Sequence, residues 1–116
     1  MRSTTTFSRG DIVVVPYPFS ELAVIKNRPA LVLSADSFLS GRQDVVIAAI
    51  TSRIGNPPLY GDHVLRDWEQ AGLPRPSVLT GLLRTAKTYR ILRRMGSISP
   101  YDLESYESIL RRSLGL

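Results

Sequence analysis

Three short stretches carry side chains that could act on phosphate. In NRPALVLS (27–34) an arginine, Arg28, stands directly before Pro29 at the head of an apolar run. Proline fixes its own φ and pushes the preceding residue towards an extended backbone, so the Arg28 charge is held at a defined place at a strand's mouth. In VVIAAITS (45–52) Thr51 closes a second apolar run with Ser52 after it, and in LLRTAK (82–87) Arg84 precedes Thr85. A guanidinium grips phosphate or carboxylate through two parallel hydrogen bonds, and a hydroxyl adds one more. Each residue also has a plainer reading: Arg28 and Arg84 as solvated surface charges, Thr51 as a strand-terminal residue bonding its own backbone.

The composition points the same way. Lys26 and Lys87 are the only lysines among 15 basic residues, and 10 acidic residues leave a net charge of +5 and a pI of about 10.1. Guanidinium is a planar fork where ammonium is a point charge, so this surface suits ordered phosphate contacts. Nucleic acid or an acidic protein partner fits it, although a modest positive balance also occurs in domains that bind neither. With no cysteine, a disulfide framework and a thiolate metal site are excluded, and the single histidine, His63, cannot build an ordinary zinc site alone. No metal or cofactor is expected. The first residues, MRSTTTFSRGD, lack a secretory signal's apolar run, and the longest apolar stretches, IVVV (12–15) and VVIAAI (45–50), fall far short of the roughly 20 residues that span a bilayer. The expectation is a soluble cytoplasmic protein with no membrane association.

One domain over residues 1–116, with 1–7 as a flexible tail, fits the 43% hydrophobic content. Short β-branched runs recur: IVVV (12–15), ALVL (30–33), VVIAAI (45–50), HVLR (63–66), SVLT (77–80) and YRILRRM (89–95), separated by SGRQD, GNPP and GLPRP. Their spacing predicts a small, strongly bent, mainly β sheet or barrel. Pro16 and Pro18 are expected to end the first strand, restrict it to an edge and begin a long loop reaching Arg28. Tyr17 and Phe19 on that loop could stack exposed bases or complete the core. DWEQAGL (67–73) could form one helical turn before Gly72. The clearest helix is the last: Ser99 caps it, Pro100 takes its first position and Asp102 stands three residues after the cap. Leu103, Tyr106, Ile109 or Leu110, and Leu114 share one face, Arg111 and Arg112 sit late, and Gly115 follows the end. If the strands near 30 and 45 pair antiparallel, the start of one lies beside the end of the other, bringing Arg28 close to Thr51.

Taken together, RGDIVVV (9–15), NRPALVLS (27–34), VVIAAITS (45–52), AGLPRPSVL (71–79), the RT pair at 84–85 and GSIS with its closing helix resemble the MazF/PemK family of bacterial toxin–antitoxin toxins. The order and spacing of RPALVLS and ITS are the specific part. The resemblance implies an SH3-like, CcdB/PemK-type β-barrel with a C-terminal α-helix, a homodimer, an acidic cognate antitoxin as partner, and metal-independent, sequence-specific cleavage of RNA. It also implies catalytic roles for Arg28 and Thr51; beside them, Arg84, Thr85, Ser52, Tyr17, Phe19 and Lys87 are substrate-binding candidates by residue type and place in the chain.

Cleavage of RNA without a metal means that the ribose 2′-OH attacks its own phosphate, so extra negative charge must be steadied in the transition state. Arginine suits that task better than proton shuttling, since its pKa lies above ~12. Thr51 would add a hydrogen bond and Arg84 would hold phosphate. The sequence departs from the family where relatives often carry an acid shortly after the RT pair: here Ala86 and Lys87 follow. Glu21 only loosely matches a second acidic position, and His63 in a strand suits a structural role better than a catalytic one. Two rival readings use the same barrel: a CcdB-like toxin that binds DNA gyrase without chemistry, and a basic RNA-binding barrel.

Overall fold

The computed structural model describes residues 7–18, 25–41 and 43–116. Six strands form one antiparallel sheet: β1 (Asp11–Pro18), β2 (Ile25–Val32), β3 (Asp44–Thr51), β4 (His63–Val64), β5 (Val78–Lys87) and β6 (Arg93–Ser97), in the order β4-β5-β3-β2-β1-β6. A short helix, α1 (Asp36–Gly41), joins β2 to β3, a 3-10 turn (Thr88–Arg90) joins β5 to β6, and the long helix α2 (Pro100–Leu114) closes the chain. The fold is the expected mainly β half-barrel with a C-terminal helix.

Both faces of the sheet are apolar, which is why the strands read as continuous hydrophobic runs. Ile12, Leu31, Ala48, Ile50 and Leu79 pack on one face with Tyr106 of α2 and with Leu65, Ala71 and Leu73 of the connecting segments. Val13, Val15, Tyr17, Ala30, Val32, Val45, Ile47 and Ala49 fill the other, concave face. Its curvature shows in one hydrogen bond. Tyr17 on β1 donates its hydroxyl to the Leu82 carbonyl on β5 at 2.9 Å. In a flat sheet those strands would stand three spacings apart, roughly 14 Å. The turn at 88–90 closes the same side, where Thr88 N–H donates to Gln43 and, four residues on, Leu92 N–H donates to Val14 of β1.

The helix ends as its sequence requires. Ser99 Oγ accepts from Asp102 N–H at 3.2 Å, Pro100 is the first helical residue, and Gly115 takes a left-handed φ of 73°. Asp102, fully buried, reaches beyond its own helix: it accepts from Arg66 N–H (3.0 Å), Asp67 N–H (2.8 Å) and His63 Nε2 (2.8 Å). Desolvation raises its pKa, yet the hydrogen bonds from Arg66, His63 and Asp67 outweigh burial and hold the carboxyl below its ordinary value. Across the sheet, Gly72 and Gly96 permit a backbone-on-backbone contact, since a Cβ at Gly96 would lie 2.3 Å from the Ala71 carbonyl oxygen.

β1 runs through Pro16 and closes at Pro18, and its β6 ladder stops at Val14, so the proline stretch is an edge on that side, as expected. Other boundaries differ from expectation. β5 runs on past Thr80 to Lys87, with a bulge opposite Ala49. The stretch 89–95 begins as the 3-10 turn and becomes strand only at Arg93. α1 was not anticipated. Trp68–Gly72 does form a turn, with Ala71 N–H bonding Asp67. Phe7 packs on the concave cluster, while the rest of the expected tail, 1–6, lies outside the described residues.

Candidate nucleic-acid site

β2 and β3 pair antiparallel as expected, with Ala30 opposite Ala49 and Val32 opposite Ile47. That ladder ends at Ala30 and Ala49, two residues short of Arg28 on β2 and of Thr51 on β3. Strand alternation gives both the parity of Ala30 and Ala49, so their side chains emerge on the concave face just beyond its apolar floor. Each is half-buried, and the Arg28 Nε is withdrawn from solvent. Thr51 Oγ1 accepts from Arg53 N–H at 3.1 Å, the local backbone bond its position foretold. A hydroxyl that accepts there still has its own proton to donate. Ser52 is exposed at the strand end.

Arg84 pairs with Ile47 and therefore shares the concave face; Thr85 pairs with Val46 and turns to the opposite one. The Arg84 guanidinium lies 5.8 Å from the centre of the Tyr17 ring. Tyr17 itself corrects the stacking expectation. Its ring is 4% exposed, its hydroxyl is committed to Leu82, and burial pushes its pKa up against the lowering field of Arg84. The curl of β1 folds the ring into the core, so no base can lie on it. Phe19 and Glu21 lie outside the described residues.

Beside Arg84 opens a cavity of about 300 Å³, lined by Val15, Pro16, Ile25, Arg84, Thr85, Ala86, Lys87 and Arg90. Lys87 borders it but is ion-paired with Asp44 at 2.8 Å. Arg90 was missed in the sequence, where it reads as one more charge in a basic stretch. Only the turn at 88–90 brings it back beside Arg84. His63 stands on β4 at the far edge of the sheet, bonded to Asp102, which fits the structural role expected for it. Among the described residues no group of three or more His, Cys, Asp or Glu side chains is arranged to hold a metal ion.

A family model for the PemK-like, MazF-like toxin of type II toxin–antitoxin systems matches residues 8–114, which takes in every strand and both helices. The chain belongs to the MazF/PemK toxin family. No curated protein sequence matches it. Solved structures do. Toxin MazF-mt6 of Mycobacterium tuberculosis superposes with a TM-score of 0.75 at 19% identity over 91% of this chain and 97% of that one. A MazE–MazF structure from Deinococcus radiodurans gives 0.76 at 21% over 97% and 99%. A mycobacterial endoribonuclease in complex with its cognate antitoxin gives 0.75 at 15% over 96% and 97%. At such identities the likeness is one of fold; in this MazF/PemK chain Ala86 and Lys87 follow the RT pair. No described helix is long and apolar enough to cross a membrane.

Proposed function

We propose that this MazF/PemK chain is a cytoplasmic endoribonuclease that cleaves single-stranded RNA at particular sequences without a metal. The observation that supports the reading is the β2–β3 ladder, whose last pair, Ala30 with Ala49, lies two residues from Arg28 on one strand and from Thr51 on the other, both of that pair's parity on the concave face. A ribose 2′-oxygen attacks the adjacent phosphorus and loses its proton to solvent or base. The bond from phosphorus to the 5′-oxygen breaks, and that oxygen takes up a proton. The products are a 2′,3′-cyclic phosphate and a 5′-hydroxyl. Arg28 steadies the charge of the phosphorane, Thr51 donates a hydrogen bond to a phosphate oxygen, and Arg84 holds phosphate on the same face. His63 is not the proton acceptor, being engaged with Asp102 at the sheet's far edge.

Two partners belong to the same reading. A second copy of the chain would cover the apolar cleft of about 410 Å³ between α1, β3, β5 and the end of α2, where Phe38 and Leu114 stand exposed. Sedimentation at micromolar concentration checks this, and a monomer contradicts it. An acidic, partly disordered antitoxin would lie over the arginines by charge complementarity; an antitoxin partner is supported by neighbours solved together with theirs. The activity is tested by incubating purified protein with labelled RNA in excess chelator and mapping the ends. Cyclic phosphates at reproducible sites are expected. Intact RNA would favour a binding-only toxin.

A further inference from the structure

The lining of the cavity beside Arg84 combines apolar residues, Val15, Pro16, Ile25 and Ala86, with the cations Arg84, Lys87 and Arg90. Asp44 matches the charge of Lys87. Among the described residues, Arg84 and Arg90 stand in no ion pair with a carboxylate, unlike Arg9, Arg66 and Arg94, which pair with Glu107, Asp67 and Asp11. Apolar groups and guanidinium groups lining one cavity are complementary to one nucleotide, with its base or sugar on the apolar groups and its phosphate on the cations. The cavity and the candidate site are built on neighbouring strands. Val15 pairs with Arg28 across β1 and β2, and Arg84 shares the concave face with Thr51.

Resting on the endoribonuclease reading, we propose that this cavity is a second nucleotide subsite. It holds a phosphate flanking the scissile one between Arg84 and Arg90, so that Arg90 positions the RNA without touching the reacting atoms. Arg90 is exposed on a short turn, so its replacement leaves the core intact.

The test uses short labelled RNA with methylated 2′-hydroxyls for binding, and unmodified RNA for cleavage. Losing one phosphate contact should lower the slope of log affinity against log salt by about 0.7 in Arg90→Ala. It should raise KM about tenfold and leave kcat within about twofold. Arg90→Lys should restore most of the slope, and Arg112→Ala on α2 should leave it unchanged. If Arg90→Ala keeps the wild-type slope and KM while the wild type cleaves, the subsite is wrong and the endoribonuclease reading stands. An equal loss of slope in Arg112→Ala also overturns the subsite, because it would reflect overall charge. If the wild type neither binds nor cleaves RNA, both readings fall.

Discussion

The two faces of the sheet treat polar groups in opposite ways. On the helix face the buried side chains of Asp102 and Tyr106 are closed into partner sets. Asp102 takes hydrogen bonds from His63, Arg66 and Asp67, and Tyr106 donates to the Thr80 carbonyl at 2.7 Å, at the bulge where β5 leaves its ladder. On the concave face Tyr17 pins Leu82 at the same bulge, but beyond its ring an open cavity is bordered by Arg84 and Arg90, which stand in no ion pair among the described residues. Satisfied buried groups hold the barrel in one shape. Cations left facing solvent-filled space store a capacity to meet an anion. The lesson is that charge type alone does not mark a site. Asp102 and His63 look chemically rich and are structural, whereas the arginines are the groups available for chemistry.

Mutations on the two faces should therefore fail differently. The largest effect is expected from Arg28→Ala, with cleavage down ~10² to 10³-fold and thermal stability near wild type, read by single-turnover kinetics and melting. Wild-type turnover by this variant would remove its role. Asp102→Ala should do the reverse. Orphaning two backbone N–H groups and His63 costs about 3 kcal/mol, a fall in Tm of roughly 12 °C. Cleavage by the protein that remains folded should stay near wild type. The pH dependence follows from the depressed Asp102 pKa. Its stabilisation is complete above the unfolded carboxylate value of about 4 and is lost as pH falls through the lower folded value. Melting curves of Asp102→Asn should lack this acid-limb decline, and an unchanged decline would assign it to other carboxylates.

Smaller effects sharpen the same contrast. Tyr106→Phe should cost about 1–2 kcal/mol by leaving the Thr80 carbonyl without its donor, measurable by urea denaturation, with no change in RNA affinity. Lys87→Ala should weaken RNA binding less than Arg84→Ala does, because Asp44 already matches the Lys87 charge in an exposed pair worth about 1 kcal/mol at most. Equal losses of affinity would mean that the pair opens on binding.

Part of this division was legible in the residues. Arg28 before Pro29, the strand closing at Thr51 and the capped helix from Ser99 to Gly115 are local patterns whose meaning does not depend on the rest of the chain. The β2–β3 pairing could be posed from the residues only as a condition, which the ladder at Ala30–Val32 meets. Features that depend on the curl of the sheet were hidden. Tyr17 sits between two prolines and reads as a loop aromatic, yet curvature carries it across the concave face to β5. Thr80 and Gly81 interrupt the apolar alternation at the bulge, so the second half of β5, which bears Arg84, did not read as strand. Arg90 gained its place only from the tight turn after Lys87.

The central claim is that Arg28 and Thr51, on neighbouring strands, act on one phosphate. A double-mutant cycle in single-turnover cleavage tests it most directly, using Arg28→Ala, Thr51→Ala and the pair combined. Because residues working on one transition state do not lose rate independently, the double variant should be no more than a few-fold slower than Arg28→Ala alone. Losses that multiply in full would contradict the account, placing the two residues in separate roles despite their neighbouring strands.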